Sequence, residues 1–236
     1  MKKLFIGLFM ILYQLPAIAE NDFPPPFTAN YSLSIRGVQI AEGSRTLRQE
    51  KGDIWKFSST SHTIGLMSYV RKTQIDETTT FKLLAGKIQP QTYFYQQVSG
   101  SKTKKVEISF NWDKNIVYGS DNNGQWEVPL EVGMLDKLLY QLIVMQDLQQ
   151  GKRNLEYKVV DKGKVKTYIP NFMGKESIKT GQGNLETLKY QKVASDGERS
   201  TTLWCAPKLH FLPVQVEHDE KGELITLLLK TVTGLN

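Results

Sequence analysis

Short turn signals recur along most of this chain and separate runs that are rich in β-branched and aromatic residues. Glycine, asparagine and aspartate dominate these signals, as tight turns between antiparallel strands require. Examples are Lys51-Gly52-Asp53, Asp113-Lys114-Asn115, Asn122-Asn123-Gly124, Asp161-Lys162-Gly163 and Glu220-Lys221-Gly222. Their spacing predicts an antiparallel meander of about a dozen strands. We find no clear fixed-period repeat, which disfavours a propeller or a solenoid.

The first predicted strand follows Pro24-Pro25-Pro26, a segment that cannot pair inside a sheet because proline lacks a backbone N–H. Apolar residues then occupy every second position, and polar residues occupy the positions between them. The apolar set is Phe27, Ala29, Tyr31, Leu33 and Ile35. This alternation is typical of a half-buried strand, and Gly37 permits the turn into the next one.

One segment, Val132 to Gly151, has the periodicity of a long helix instead. Its apolar residues fall in one arc when they are placed about 100° apart, and the polar residues lie mostly opposite. The arc contains Met134, Leu135, Leu138, Leu139, Leu142 and Met145. Asp136 lies near the predicted start, where we expect its carboxylate to cap free backbone N–H groups, the alternative being a basic partner at the barrel mouth. Gly151 supplies a stop.

These patterns together predict a mainly β fold. A wide, flat antiparallel sheet would expose long edges and one apolar face, so we expect the meander to curve into a barrel or half-barrel. The long amphipathic helix is then expected to pack against the sheet. Such an arrangement can leave an apolar ligand site between sheet and helix.

The first residues resemble an export signal. Lys2 and Lys3 precede an apolar run from Leu4 to Leu15, and Ala17-Ile18-Ala19 has the small residues that a signal peptidase reads. We therefore expect cleavage after Ala19 and a periplasmic protein. The run is shorter than the roughly 20 residues that span a bilayer, so no transmembrane span is expected after cleavage.

The remaining residues, 20–236, are predicted to form a single β-rich domain, because no linker-like stretch divides them. The formal net charge of the chain is +6. An exported protein does not meet nucleic acid, so we expect no nucleic-acid partner and assign most of the lysines to solvated strand faces. The alternative for these lysines is an anionic envelope partner such as lipid head groups. The single cysteine, Cys205, excludes an intramolecular disulfide.

The sequence contains no strong catalytic or metal-binding motif. His62, His210 and His218 are far apart and lack the spacing of metal ligands, so we predict no metal and no cofactor. Cys205 lies five residues before His210, but nothing in the pattern holds the two together. We expect Cys205 to pack as a small apolar residue and predict no catalytic residue.

A series of short motifs follows one another along nearly the whole chain after Ala19. They are Phe27-Thr28-Ala29-Asn30-Tyr31 with Gly37, Glu42-Gly43, Ile64-Gly65-Leu66, Pro90 to Tyr93, Phe110-Asn111-Trp112, Leu135-Asp136, Gly174-Lys175-Glu176 with Gly181, Leu203-Trp204, Leu212-Pro213-Val214 and Gly222. In these motifs the chain resembles the bacterial exported family called Domain of Unknown Function 3108. The resemblance implies an exported, mostly β domain with a helix and no established activity. The chain departs from the family at Cys205-Ala206-Pro207, where other members tend to have an acidic residue.

We interpret the chain as a non-enzymatic periplasmic protein that binds an apolar or amphipathic envelope molecule, a lipid or lipid-linked glycan, between sheet and helix. The predicted ligand-binding residues are Met134, Leu138, Leu142, Met145, Tyr93 and Trp204. The two methionines suit an adaptable apolar surface. The alternative is a structural or adaptor protein of the cell envelope that acts through contacts with a protein partner. The third hypothesis is an envelope hydrolase.

Overall fold

The computed structural model describes residues 23–194 and 197–235. Its strands are β1 (Phe27–Ile35), β2 (Val38–Gln49), β3 (Ile54–Thr63), β4 (Thr73–Leu84), β5 (Lys87–Ser99), β6 (Lys102–Asn111), β7 (Ile116–Asp121), β8 (Gly124–Pro129), β9 (Met134–Leu135), β10 (Tyr157–Asp161), β11 (Lys164–Tyr168), β12 (Asn171–Thr180), β13 (Gly183–Val193), β14 (Arg199–Ala206), β15 (Leu212–Glu220) and β16 (Glu223–Thr233). The helices are α1 (Gly65–Val70) and α2 (Leu139–Gln149), with a single 3₁₀ turn at Pro207–Leu209. The predicted leader, residues 1–19, lies outside the described residues.

Thirteen strands of the described ranges form one antiparallel sheet, in the order β12-β13-β14-β15-β16-β1-β2-β3-β4-β5-β6-β7-β8. Two meanders, β1 to β8 and β12 to β16, join where the first and last strands pair, as Thr28 opposite Thr233 shows. This confirms the predicted mainly β fold with a large antiparallel meander. The predicted alternation of β1 is also confirmed, because Phe27, Ala29 and Tyr31 are all buried.

The sheet curves around the segment that connects β8 to β12. Inward-facing side chains of the sheet, the residues of α2 and those of β10 all belong to one contiguous hydrophobic core. The sheet does not close by hydrogen bonds, since β8 and β12 are its two edges in the described residues. It is therefore an open, barrel-like sheet.

A smaller sheet of β11, β10 and β9 fills the space between the two edges. On one side, a Cβ at Gly163 in the β10–β11 turn would lie 3.1 Å from Cγ of Trp126 on β8. The Trp126 side chain also requires glycine at position 119, because a Cβ there would lie 2.1 Å from Cζ2 of the indole. On the other side, the Lys192 ammonium of β13 lies 3.7 Å from the ring centroid of Tyr168 on β11. Side-chain packing thus bridges the gap that hydrogen bonds leave open.

The predicted long helix is not confirmed. Helix α2 begins at Leu139 rather than Val132, because Met134 and Leu135 instead pair in parallel with Lys158 and Val159 of β10. Helix α2 also lacks the predicted solvent-exposed polar face, since Tyr140, Val144 and Gln146 are buried together with the residues of the predicted arc. Every residue of α2 is buried or partly buried.

Strand β8 and helix α1 were missing from the predicted elements. Both are six residues long. Within the described residues, no helix has the length and apolar composition that crossing a bilayer requires.

Candidate functional site

The predicted ligand-contact residues of the helical segment lie at the centre of the core. Met134, Leu138 and Leu142 are 0% exposed, and Met145 is 1% exposed. None of them lines either of the two cavities described below. Their burial is what a filled core requires, so the described cavities give no support to a ligand between sheet and helix.

Tyr93 and Trp204 do not lie together. Tyr93 faces inward, and its hydroxyl donates a 2.5 Å hydrogen bond to Oε1 of Glu77. Trp204 on β14 is 3% exposed and also belongs to the hydrophobic core. Its indole N–H donates to Glu176 at 2.9 Å, and the Lys189 ammonium lies 4.7 Å from the ring centroid. Both side chains are buried members of the hydrophobic core, on strands that lie seven places apart in the sheet order, and they bind different partners.

Asp136 caps α2 from a fully buried position, as the sequence predicted. Its Oδ1 accepts hydrogen bonds from the backbone N–H groups of Leu138 at 2.9 Å and Leu139 at 2.8 Å. Its Oδ2 accepts the Thr79 hydroxyl at 2.7 Å. Burial raises the pKa of Asp136 to about 7, although these hydrogen bonds oppose the rise.

Two further charged side chains share this buried polar layer. Burial raises the pKa of Glu77, and the Tyr93 hydroxyl, Lys137 and Arg45 partly offset that rise. Arg45 is itself only 8% exposed, and its guanidinium lies 5.3 Å from the centroid of the Tyr31 ring. Lys137, the next residue after Asp136, also lines a cavity at one end of the sheet.

That cavity has a volume of about 540 Å³. It is lined by Tyr95 and Gln97 of β5, residues 102–106 of β6, Asp121, Asn122 and Asn123 at the β7–β8 turn, Lys137 and Lys162. We call it the lysine mouth after Lys102, Lys104, Lys105, Lys137 and Lys162. Alternation along β6 places Lys102 and Lys104 on the same face as the buried Val106, so both face the interior end of the sheet.

The lysines of the mouth outnumber the nearby carboxylates. Lys105 turns away to pair with Glu107 at 2.9 Å, and Lys137 approaches Asp161 at 3.3 Å. Asp161 also pairs with Lys166 at 2.8 Å, so a single carboxylate serves two ammonium groups. Burial by itself would raise the pKa of Asp161, but the two lysines hold it below its usual range. No described carboxylate pairs with Lys102, Lys104 or Lys162.

The positive field extends along the inner face towards β13. Burial lowers the pKa of Lys192 to about 8, and the neighbouring cations Lys166 and Arg199 lower it further. An ammonium group responds in this way where it is desolvated and also lies near other cations. The described lysines of the mouth thus outnumber its carboxylates, and further cations lie on the adjoining inner face.

Comparisons with known proteins agree with this architecture. Residues 30–230 match the family described as "Protein of unknown function (DUF3108)". The chain belongs to this family. The resemblance predicted from the motifs is thereby confirmed. No curated protein matches the chain.

A solved structure supports the fold of this DUF3108 chain. The beta-barrel-like protein of Domain of Unknown Function DUF1849 from Brucella abortus has a TM-score of 0.60 at 8% identity. The likeness covers 89% of the present chain and 98% of that protein. At this identity it concerns the fold alone, and it agrees with the barrel-like part of the prediction.

The cysteine of this DUF3108 chain cannot act as a nucleophile in the fold described. Cys205 is 0% exposed, and burial raises the pKa of its thiol to about 12. A thiol is nucleophilic only as the thiolate, which such burial suppresses. Cys205 packs as a small apolar residue, as the sequence predicted.

A second cavity, of about 770 Å³, lies on the outer face of β5 to β8. Phe94, Tyr118, Glu107 and Glu127 line it together with hydroxyl and amide side chains. Phe94 lies on the other face of β5 from Tyr93 and Tyr95, because successive side chains of a strand alternate. The sequence gave no sign that four neighbouring strands form a groove on that face, because the groove results from the twist of the sheet.

The lysine mouth itself was missed. Its lysines come from three segments: those at 102–105 and 162 were interpreted as solvated strand faces, and Lys137 as part of the polar side of the predicted helix. A run of alternating lysines carries the same pattern whether it faces bulk water or the end of a curved sheet. The available signal was the alternation of Lys102 and Lys104 with Val106, which predicts one shared face but not what lies opposite.

Proposed function

We propose that this protein is a non-enzymatic periplasmic binding protein for an anionic, amphipathic envelope molecule, such as a phosphate-bearing lipid or lipid-linked glycan. The lysine mouth carries the proposal. It combines ammonium groups that lack carboxylate partners with the apolar surfaces of Tyr95 and Val106 in a cavity of about 540 Å³. Cavities of a few hundred Å³ or more are the usual size of small-ligand sites.

The proposal keeps the predicted ligand class and moves the site. The apolar arc of the helical segment is buried in the core, whereas the lysine mouth contains open volume beside charged groups. An anionic head group would lie among Lys102, Lys104, Lys137 and Lys162, because ammonium groups form charge-assisted hydrogen bonds with phosphate oxygens. Tyr95 offers its ring to the adjoining apolar part, although Lys137 already covers one side at 5.4 Å.

The test uses dodecyl phosphate as the anionic amphiphile and dodecyl maltoside as its neutral counterpart, both below their micelle concentrations. Isothermal titration calorimetry should show binding of the phosphate and much weaker binding of the maltoside. Affinity should fall as salt is added, since the attraction is largely electrostatic. The double variant Lys104→Ala/Lys162→Ala should weaken binding about tenfold or more.

Lys114→Ala is the matched control, because Lys114 is exposed at the β6–β7 turn, at the far end of β6 from Lys102. It should leave the affinity unchanged. The proposal is wrong if dodecyl phosphate does not bind, or if the double variant binds it as tightly as the wild type does.

The groove on the outer face of β5 to β8 supports a second candidate function, the adaptor protein. Aromatic and acidic side chains in an open groove of about 770 Å³ suit a segment of a basic partner protein. A photo-crosslinking residue at Ser120, which lines the groove, should capture such a partner in envelope fractions. The same residue at Ser44, on the outer face of β2, is the control.

A further inference from the structure

Helix α1 presents apolar side chains to solvent. Leu66 is 79% exposed, Tyr69 is 89% exposed and Val70 is 73% exposed. The spacing i, i+3, i+4 places all three on one side of the helix. No residue of α1 is buried, so this apolar side contributes little to the stability of the fold.

The helix is nevertheless held firmly at the ends of its flanking strands. Its entry is fixed by a 2.9 Å hydrogen bond from the Ile64 N–H to the Ile40 carbonyl. Its exit is fixed by Arg71, whose N–H donates to the Met67 carbonyl at 2.8 Å and whose Nε donates to Ser99 Oγ at 2.8 Å. A six-residue helix is not stable by itself in water. Here the sheet supplies the scaffold that presents it.

Exposed basic residues surround the apolar side. Arg71 and Lys72 follow α1 directly, and Arg36 lies in the β1–β2 turn at the same end of the sheet. None of the three pairs with a carboxylate in the part of the chain that the structure describes. Val38, 65% exposed, adds apolar surface at the start of β2, the strand that α1 contacts. We call α1 with Arg36, Val38, Arg71 and Lys72 the α1 surface.

The α1 surface adjoins the lysine mouth. The turn between β5 and β6 connects the two, because the Gly100 N–H donates to the Lys72 carbonyl at 3.1 Å and β6 begins at Lys102. In an antiparallel meander every second turn lies at the same end, so the turns β1–β2, β5–β6 and β7–β8 and helix α1 share one end of the sheet. That end of the sheet therefore carries the exposed apolar side chains of α1 and the basic side chains around them.

We propose that the α1 surface docks on the surface of an anionic phospholipid bilayer. A short helix with aromatic and aliphatic residues on its exposed side and basic residues beside it suits the membrane interface, where apolar side chains enter the head-group region and cations meet lipid phosphates. Docking in this way brings the lysine mouth to the level of the head groups. The docking depends on the α1 surface alone, so it holds whether or not the mouth binds a ligand.

Vesicle flotation tests the proposal. The purified protein should float with vesicles of phosphatidylglycerol and phosphatidylethanolamine, and not with vesicles of phosphatidylcholine alone. Added salt should reduce the floating fraction, because exposed charges are screened. The variant Leu66→Ser/Tyr69→Ser should lower the partition coefficient about tenfold or more without changing the net charge.

The matched control is Ile54→Ser/Leu84→Ser. It removes two exposed apolar side chains at the opposite ends of the strands β3 and β4 that flank α1, about 30 Å away for a ten-residue strand. The control should float like the wild type. Both variants should bind dodecyl phosphate like the wild type, which separates failure of docking from failure of the mouth.

A second readout follows the helix directly. In the variant Tyr69→Trp, the fluorescence emission of the introduced tryptophan should shift to shorter wavelength when phosphatidylglycerol vesicles are added. An indole at the membrane interface leaves bulk water, and this causes the shift. Docking through α1 is wrong if the wild type fails to float with the anionic vesicles. It is equally wrong if Leu66→Ser/Tyr69→Ser floats undiminished, or if the indole at position 69 shows no shift.

Discussion

At the scale of single residues, the buried carboxyl of Asp136 couples the start of α2 to the sheet. It accepts backbone N–H groups of α2 through one oxygen and the Thr79 hydroxyl of β4 through the other. The cost of this arrangement is that the ionised carboxylate is buried, since Asp136 is 0% exposed. The raised pKa, about 7, expresses that cost.

The sign of the pH dependence follows from this pKa. The pKa of an aspartate in the unfolded chain is about 3.9, so Asp136 binds its proton more tightly in the folded state. The stabilisation is fully present below about pH 4 and is lost as pH rises through about 7. We expect the free energy of unfolding, measured with urea, to fall between pH 5 and pH 8 by an amount on the order of 2 kcal/mol.

Asp136→Asn should remove most of that fall, because the amide oxygen still accepts from Leu138 and Leu139 but carries no charge. Glu77 remains in the variant, and its raised pKa should leave a smaller slope of the same sign. Asp53→Asn, in the exposed β2–β3 turn, should keep the slope of the wild type. An unchanged slope in Asp136→Asn would contradict the assignment.

At the scale of elements, α2 is a core helix whose surroundings are filled. Leu142→Ala removes a side chain that is 0% exposed and should cost about 2–5 kcal/mol, since the packed sheet around it cannot collapse into the space. Val132→Ala is the control within the predicted helical segment. Val132 is 92% exposed and lies before α2, so its truncation should change stability by less than about 0.5 kcal/mol.

Urea denaturation of the ligand-free protein measures both variants. A cost below about 1 kcal/mol for Leu142→Ala would indicate open space beside the helix. That result would favour the original hypothesis of a ligand between sheet and helix over the lysine mouth.

At the scale of the whole molecule, the sheet is continuous through its termini. Strand β1 pairs with β16, and a Cβ at Gly234 would lie 2.2 Å from the Pro26 carbonyl oxygen. Joining the C-terminus to Phe23 with a short Gly/Ser linker and opening the chain at Gly52 should therefore preserve every strand pairing. We expect this permutant to unfold cooperatively with a Tm within about 5 °C of the wild type.

A permutant opened between Ser58 and Ser59 is the control. It cuts β3 in its middle, where the strand pairs with β2 and β4 on both sides, and it should not fold. Failure of the Gly52 permutant under the same conditions would contradict the strand order through β16 and β1. The thermal unfolding of both permutants is measured by circular dichroism.

Local patterns sufficed for much of the fold. The period-two alternation of Phe27, Ala29 and Tyr31 and the turns at Gly52 and Gly222 depend on neighbours within a few residues, so β1 and most of the meander could be predicted. Asp136 was recognised as a cap for the same reason. Helix α1 gave no such signal, because six residues make less than two turns and its apolar side faces solvent.

What the sequence by itself determined is the strand periodicity, the turns, a buried helical arc and the family. The tertiary structure alone decided where α2 begins, because Met134 and Leu135 pair with Lys158 and Val159, more than twenty residues away. It also decided that the arc fills the core and that lysines from three distant segments surround one cavity. Alternation and capping are short-range effects of backbone geometry, whereas burial, pKa and charge density arise from contacts between segments that only the fold brings together.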